Sequence, residues 1–158
     1  MSSDSLSGPH IQAAFLCERI LQERDGVPSF IRVVERFFVP VPIGQLPPGV
    51  QIQPPVLQIQ LVVSLKAGSL GAGKYSIRVK QNKPDGSEGL DTTHPVFLNG
   101  SDDNGILLGI PMVIVAPEEG LWWFDIYFEG MLMTRIPMRV LHQQVPLPPL
   151  PQPPARGM

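Results

Sequence analysis

The segment Gly68-Ser69-Leu70-Gly71-Ala72-Gly73-Lys74 matches the G-x-x-x-x-G-K part of a phosphate-binding loop. Such a loop must open a helix whose N–H groups face the anion, and its lysine is followed by a Ser or Thr that holds magnesium. Here the next residue is Tyr75, and the residues after it alternate as a strand. A glycine-rich turn fits better than a nucleotide site. The histidines, His10, His94 and His142, stand far apart, with no H-E-x-x-H and no paired C-x-x-C beside them. Nothing local recommends zinc, and no metal or other cofactor is expected. Asp102-Asp103-Asn104 resembles a fragment of a calcium loop but runs straight into apolar Ile106, which favours a solvated turn. Asn99-Gly100-Ser101 matches a glycosylation acceptor and reads as a polar loop. No serine sits in a G-x-S-x-G elbow. The lone cysteine, Cys17, would need a basic neighbour in space to act as a nucleophile; otherwise it is a small buried hydrophobe, the preferred reading. No catalytic set results, so the chain is not expected to be an enzyme. The alternative is a Cys17 or His/Asp site assembled only in space.

Binding chemistry has better candidates. Adjacent strand residues point to opposite faces, so Trp122-Trp123 puts one indole in the core and the other outside. An outward Trp123 beside Tyr127 would offer an aromatic platform to a protein or a sugar ring, unless the Pro40–Pro55 segment covers it. The run Pro151-Gln152-Pro153-Pro154-Ala155-Arg156 fits P-x-x-P-x-R, in which a preformed polyproline helix docks and its arginine meets an acid. Pro151, Pro154 and Arg156 are therefore candidate contacts. Arg32, Arg36, Arg78, Lys80, Arg135 and Arg139 fall on polar strand positions and could form a basic stripe. A net charge of −2 favours a solvated sheet face over a nucleic-acid surface.

The elements that must position these groups are strands. Leu57, Ile59, Leu61, Val63 and Leu65 alternate with a mostly polar set. The same period of two runs through Tyr75–Lys80, Trp122–Glu129 and Arg135–Val140. Ile106–Val115 is almost continuously apolar, which predicts a central strand or one bent by Gly109 and Pro111. Asp25-Gly26, Pro84-Asp85-Gly86, Asp103-Asn104-Gly105 and Glu129-Gly130 supply turns between the runs. Asp25-Gly26 would join Ile11–Gln22 to Ser29–Phe38 as a hairpin, although Ala13, Ala14, Cys17, Ile20 and Leu21 also fit a helix. The pattern predicts an all-β antiparallel sandwich of about 7–9 strands.

Composition sets the limits. Of 158 residues, 19 are proline, against a usual share of ~5%. Residues 1–9 are small and polar, expected to be disordered, and carry neither the basic nor the apolar part of a secretory leader. Residues 10–142 form the predicted domain, and 143–158 a proline-rich polyproline II tail. The Pro40–Pro55 cluster reads as a long loop or an edge segment. No apolar run reaches the ~18 residues of a membrane span, and one cysteine allows no internal disulfide. A cytoplasmic protein is expected, with no membrane or nucleic-acid partner.

Two stretches together resemble a family of small bacterial proteins that carries a domain of unknown function. One is Ala14-Phe15-Leu16-Cys17-Glu18, then Asp25-Gly26, then Ser29-Phe30-Ile31-Arg32-Val33-Val34-Glu35-Arg36. The other is Gly120-Leu121-Trp122-Trp123-Phe124-Asp125-Ile126, then Arg135-Ile136-Pro137-Met138-Arg139-Val140. The resemblance spans residues 10–142 and implies an immunoglobulin-like β-sandwich in a bacterial cytoplasm, with no catalytic residues to carry over. The expectation is thus a non-enzymatic module that binds protein, able to form a homodimer through its sheet edges.

Overall fold

The computed structural model describes residues 8–101 and 103–147. Nine strands occur among them: β1 (His10–Gln22), β2 (Pro28–Val33), β3 (Arg36–Ile43), β4 (Val56–Lys66), β5 (Gly73–Asn82), β6 (Glu88–Leu98), β7 (Gly105–Val115), β8 (Gly120–Phe128) and β9 (Met131–Pro146). They form a four-stranded sheet, β2-β1-β4-β7, and a five-stranded sheet, β3-β9-β8-β5-β6. Every pair is antiparallel except β3 with β9, which is parallel. The order β9-β8-β5-β6 facing β1-β4-β7 follows the G-F-C-C′ and A-B-E arrangement of immunoglobulin-like sandwiches. The fold is an all-β, two-sheet sandwich of that kind.

The alternating residues meet between the sheets. Leu16, Ile59, Leu61, Val63 and Leu65 from one layer face Ile77, Val79, Phe124, Ile126, Met138 and Val140 from the other. All are essentially removed from water, and each contributes about 1.5–3 kcal/mol of burial. Trp122 joins this core and donates its indole N–H to the Glu118 carbonyl at 2.9 Å. Glu129 and Gly130 join β8 to β9 with φ of 47° and 80°, the two positive angles a type I′ turn requires.

Residues 11–22 are strand, as the hairpin reading expected, and not the helix their spacing also allowed. Several other elements differ from the sequence reading. The run expected as one strand from Ser29 to Phe38 is two strands in different sheets. Arg32 turns the chain at φ 52°. Val34 N–H then bonds the Leu16 carbonyl in one layer, and the next carbonyl, of Glu35, accepts from Arg139 in the other. β6 was not anticipated, because Thr92 and His94 interrupt its apolar face and Phe97 lies on its outer one. β7 is an edge strand rather than a central one: alternate residues, from Leu107 to Val115, stay exposed. β9 continues to Pro146, past the boundary placed at 142, because β3 from Pro40 to Ile43 pairs with Gln143 to Pro146. The proline cluster therefore begins as an edge strand and becomes a loop after Ile43.

One half of the first hairpin leaves its sheet. Pairing of β1 with β4 stops at Cys17↔Gln60. Beyond it Ile20 reaches over β4, so that its Cδ1 would lie 2.5 Å from a Cβ placed on Gly109 of β7. The hairpin thus arches across the outer face. Val62, which alternation sends outward, is fully buried, and Phe15 meets Phe30 edge to face at 5.0 Å.

Candidate functional site

The outward residues of β8 are Trp123, Asp125 and Tyr127, each half or more covered. Register sets their neighbours. Trp123 lies between Asn82 of β5 and Pro137 of β9, Asp125 between Lys80 and Arg135, and Tyr127 beside Arg78. Both sequence-predicted aromatics are therefore on the outer face of the five-stranded sheet, with the Asp125 row between them.

That row is the organising feature. Asp125 is 8% exposed. Its carboxylate accepts from Arg135 Nε at 2.7 Å and from Asn82 Nδ2 at 2.9 Å. A buried charge needs such partners, and the pair fixes the arginine. The same guanidinium sits 4.8 Å from the centre of the Trp123 ring, in cation–π contact. Arg78 lies 5.9 Å from the Tyr127 ring and donates from Nε to Asp91 Oδ1 at 2.7 Å. Hydrogen bonding from Arg78 holds the Asp91 carboxyl below its ordinary range. Lys80 pairs with Glu88, and that bond raises the Lys80 pKa. The result is a surface of two aromatic rings, each with an arginine against it that an acid holds.

Sequence reasoning found Trp123 and Tyr127 but not Asp125, Asn82 or the double role of Arg135, because these meet only across strands. The aromatics are four residues apart on one strand, about 13 Å. With Arg135 on the Trp123 ring, they do not form one continuous platform. Of the basic residues, Arg36, Arg78, Lys80, Arg135 and Arg139 share this sheet. Arg32 belongs to the other and pairs with Glu18. Beside the face, a cleft of about 100 Å³ opens at the side of the sandwich, lined by Phe15, Val33, Glu35, Arg135 and Pro137 among others. Pro151, Pro154 and Arg156 lie outside the described residues.

The candidates for catalysis are dispersed. Cys17 is fully buried and its thiol donates to the Arg19 carbonyl at 3.4 Å; burial pushes its pKa up. His94 bonds Thr92, and the His142 ring bonds the Pro117 carbonyl. Gly73 and Lys74 of the glycine-rich loop open β5, a strand. Asn99 closes a turn by accepting from Ser101. Among the described residues, no three His, Cys, Asp or Glu gather as metal ligands would.

No family model matches the sequence, and no curated protein matches it. Among solved structures, the chain is similar to an immunoglobulin-like protein from Pseudomonas aeruginosa. The identity is 12%, the TM-score 0.40, and the match covers 84% of this chain and 96% of that one.

Proposed function

We propose that the protein is a non-enzymatic binding module that engages a protein partner through the outer face of the five-stranded sheet. The observation that carries this reading is the Trp123–Arg135–Asp125 arrangement. Trp, Tyr and Arg are the residue types that dominate protein interfaces, and here they are held in place before any partner arrives. Ordering a free arginine on binding would otherwise cost about 0.5–1.5 kcal/mol. The neighbouring cleft suits one apolar side chain of the partner. The P-x-x-P-x-R segment from Pro151 to Arg156 belongs to this reading as a second contact. The cytoplasm, where Cys17 stays reduced, is the compartment proposed, and the bacterial family named above the proposed kin.

The test is affinity capture with the purified chain and with Trp123→Ser and Arg78→Ala variants whose melting is first checked. Cross-linking should place the captured protein on β5, β8 and β9, and each variant should weaken capture at least about tenfold, the scale of an interface anchor. Equal capture by both variants refutes the reading. Tryptophan quenching on titration with glycans, absent with protein, would transfer the face to a sugar ligand.

A further inference from the structure

Each end of each sheet presents backbone that a foreign strand could pair with. The four edge strands are β2, β7, β3 and β6, and each contains proline: Pro28, Pro111, Pro40 with Pro42, and Pro95. The ladder shows where each missing N–H points. Beyond the ends of β4 and β7, the Asn104 carbonyl accepts from Ala67 and Ala116 donates to the Pro55 carbonyl. Both continue the Leu61↔Ile110 register. Hydrogen-bonded pairs alternate along an antiparallel ladder, so even-numbered β7 residues bond β4 and odd-numbered ones face the open edge. Pro111 is odd.

The same reasoning places the others. Glu129 donates to the Ser76 carbonyl, so even residues of β5 turn to β8 and odd ones to β6; Pro95, opposite Ser76, then faces outward. Glu23 donates to the Val27 carbonyl, which leaves Pro28, opposite Gln22, on the free side of β2. Arg139 donates to the Glu35 carbonyl, which turns Pro40 and Pro42 away from β9. It also turns Pro137 of β9 toward β3, but β3 begins only opposite Arg139, so Pro137 too stands on open backbone. β1, β4, β5 and β8 contain no proline.

We infer that these prolines guard the rim of the sandwich against strand addition, so that the edges do not pair into the dimer that the sequence left open. β7 shows the need most clearly. Its residues GILLGIPMVIV carry no charge, and Val113 and Val115 are 64% and 59% exposed. A long, uncharged edge strand is a template for a second copy, and proline is one of the devices that blunt it. The inference stands apart from the proposed partner surface, which lies on a face.

The experiment pairs amide exchange with sedimentation on the full chain. In the wild type, the amides of Leu107, Gly109 and Val113 should exchange at least about a hundredfold faster than those of Leu108, Ile110 and Met112. The chain should sediment as a monomer. Pro111→Thr should self-associate at least about tenfold more tightly and protect Leu107, Gly109 and Val113. Should that variant not fold, Pro95→Thr with protection of Thr93 and Phe97 takes its place. Protected odd-numbered amides in the wild type, or folded variants that stay monomeric, overturn the inference.

Discussion

The buried Asp125 carboxylate holds the Arg135 guanidinium that packs against Trp123. Removing Arg135 strips Asp125 of its charged donor and frees the Trp123 ring. Arg135→Ala should lower stability by about 1–3 kcal/mol, the cost of leaving a buried carboxylate without its charged donor and with Asn82 alone, and should alter Trp123 emission. Chemical denaturation followed by fluorescence reads both. Cys17 makes a second residue-scale prediction: a fully buried thiol with a raised pKa should resist thiol reagents in the folded chain and react at once in denaturant. A native-state reaction as fast as the denatured one would restore a chemical role. The acids of the β5–β6 pair predict pH behaviour. Arg78 depresses Asp91, and hydrogen bonds from Ser87 depress Asp85. A carboxylate with a lower folded pKa stabilises above its unfolded value, near 3.9, and loses that contribution as pH falls through the folded one. Tm should therefore hold from about pH 8 to 5 and fall below about pH 4, read by scanning calorimetry.

At the level of elements, register decides what a strand can do. Gly105 opens β7, where a Cβ would lie 2.2 Å from the Leu65 carbonyl oxygen. Backbone cannot step aside as a side chain can, so Gly105→Ala should destabilise by about 1–3 kcal/mol, seen as a lower denaturation midpoint. A chain ending at His142 loses the residues that pair with β3 from Pro40 to Ile43, and should melt lower than one ending at Leu147. Most strands were legible because one side of each is dry: the alternation of Leu57–Leu65 and Trp122–Phe128 reports the core directly. β6 was not, since Thr92 and His94 face inward at the end of the sheet while Phe97 faces out. β7 misled for the opposite reason, its apolar residues continuing onto an exposed face. The break between β2 and β3 has no sequence signal, because Arg32 at φ 52° is an uncommon conformation for a side-chain-bearing residue. The aromatic half of the candidate site could be read from parity alone. Its ionic half, Asp125 with Arg135 and Asn82, depends on which strands are neighbours.

The molecule as a whole closes on itself through its one parallel pair. β3 is complete by Ile43, yet the strand it lies against begins at Met131 and is the last of the nine along the chain. During synthesis, at about 5–20 residues per second, the earlier strand waits several seconds for its mate to be made. β3 therefore cannot settle against its partner until nearly the whole domain has been made, although β1, β2 and β4 can pair earlier. Docking of β3 should be late, and refolding followed by tryptophan fluorescence should be slow for a domain of this size.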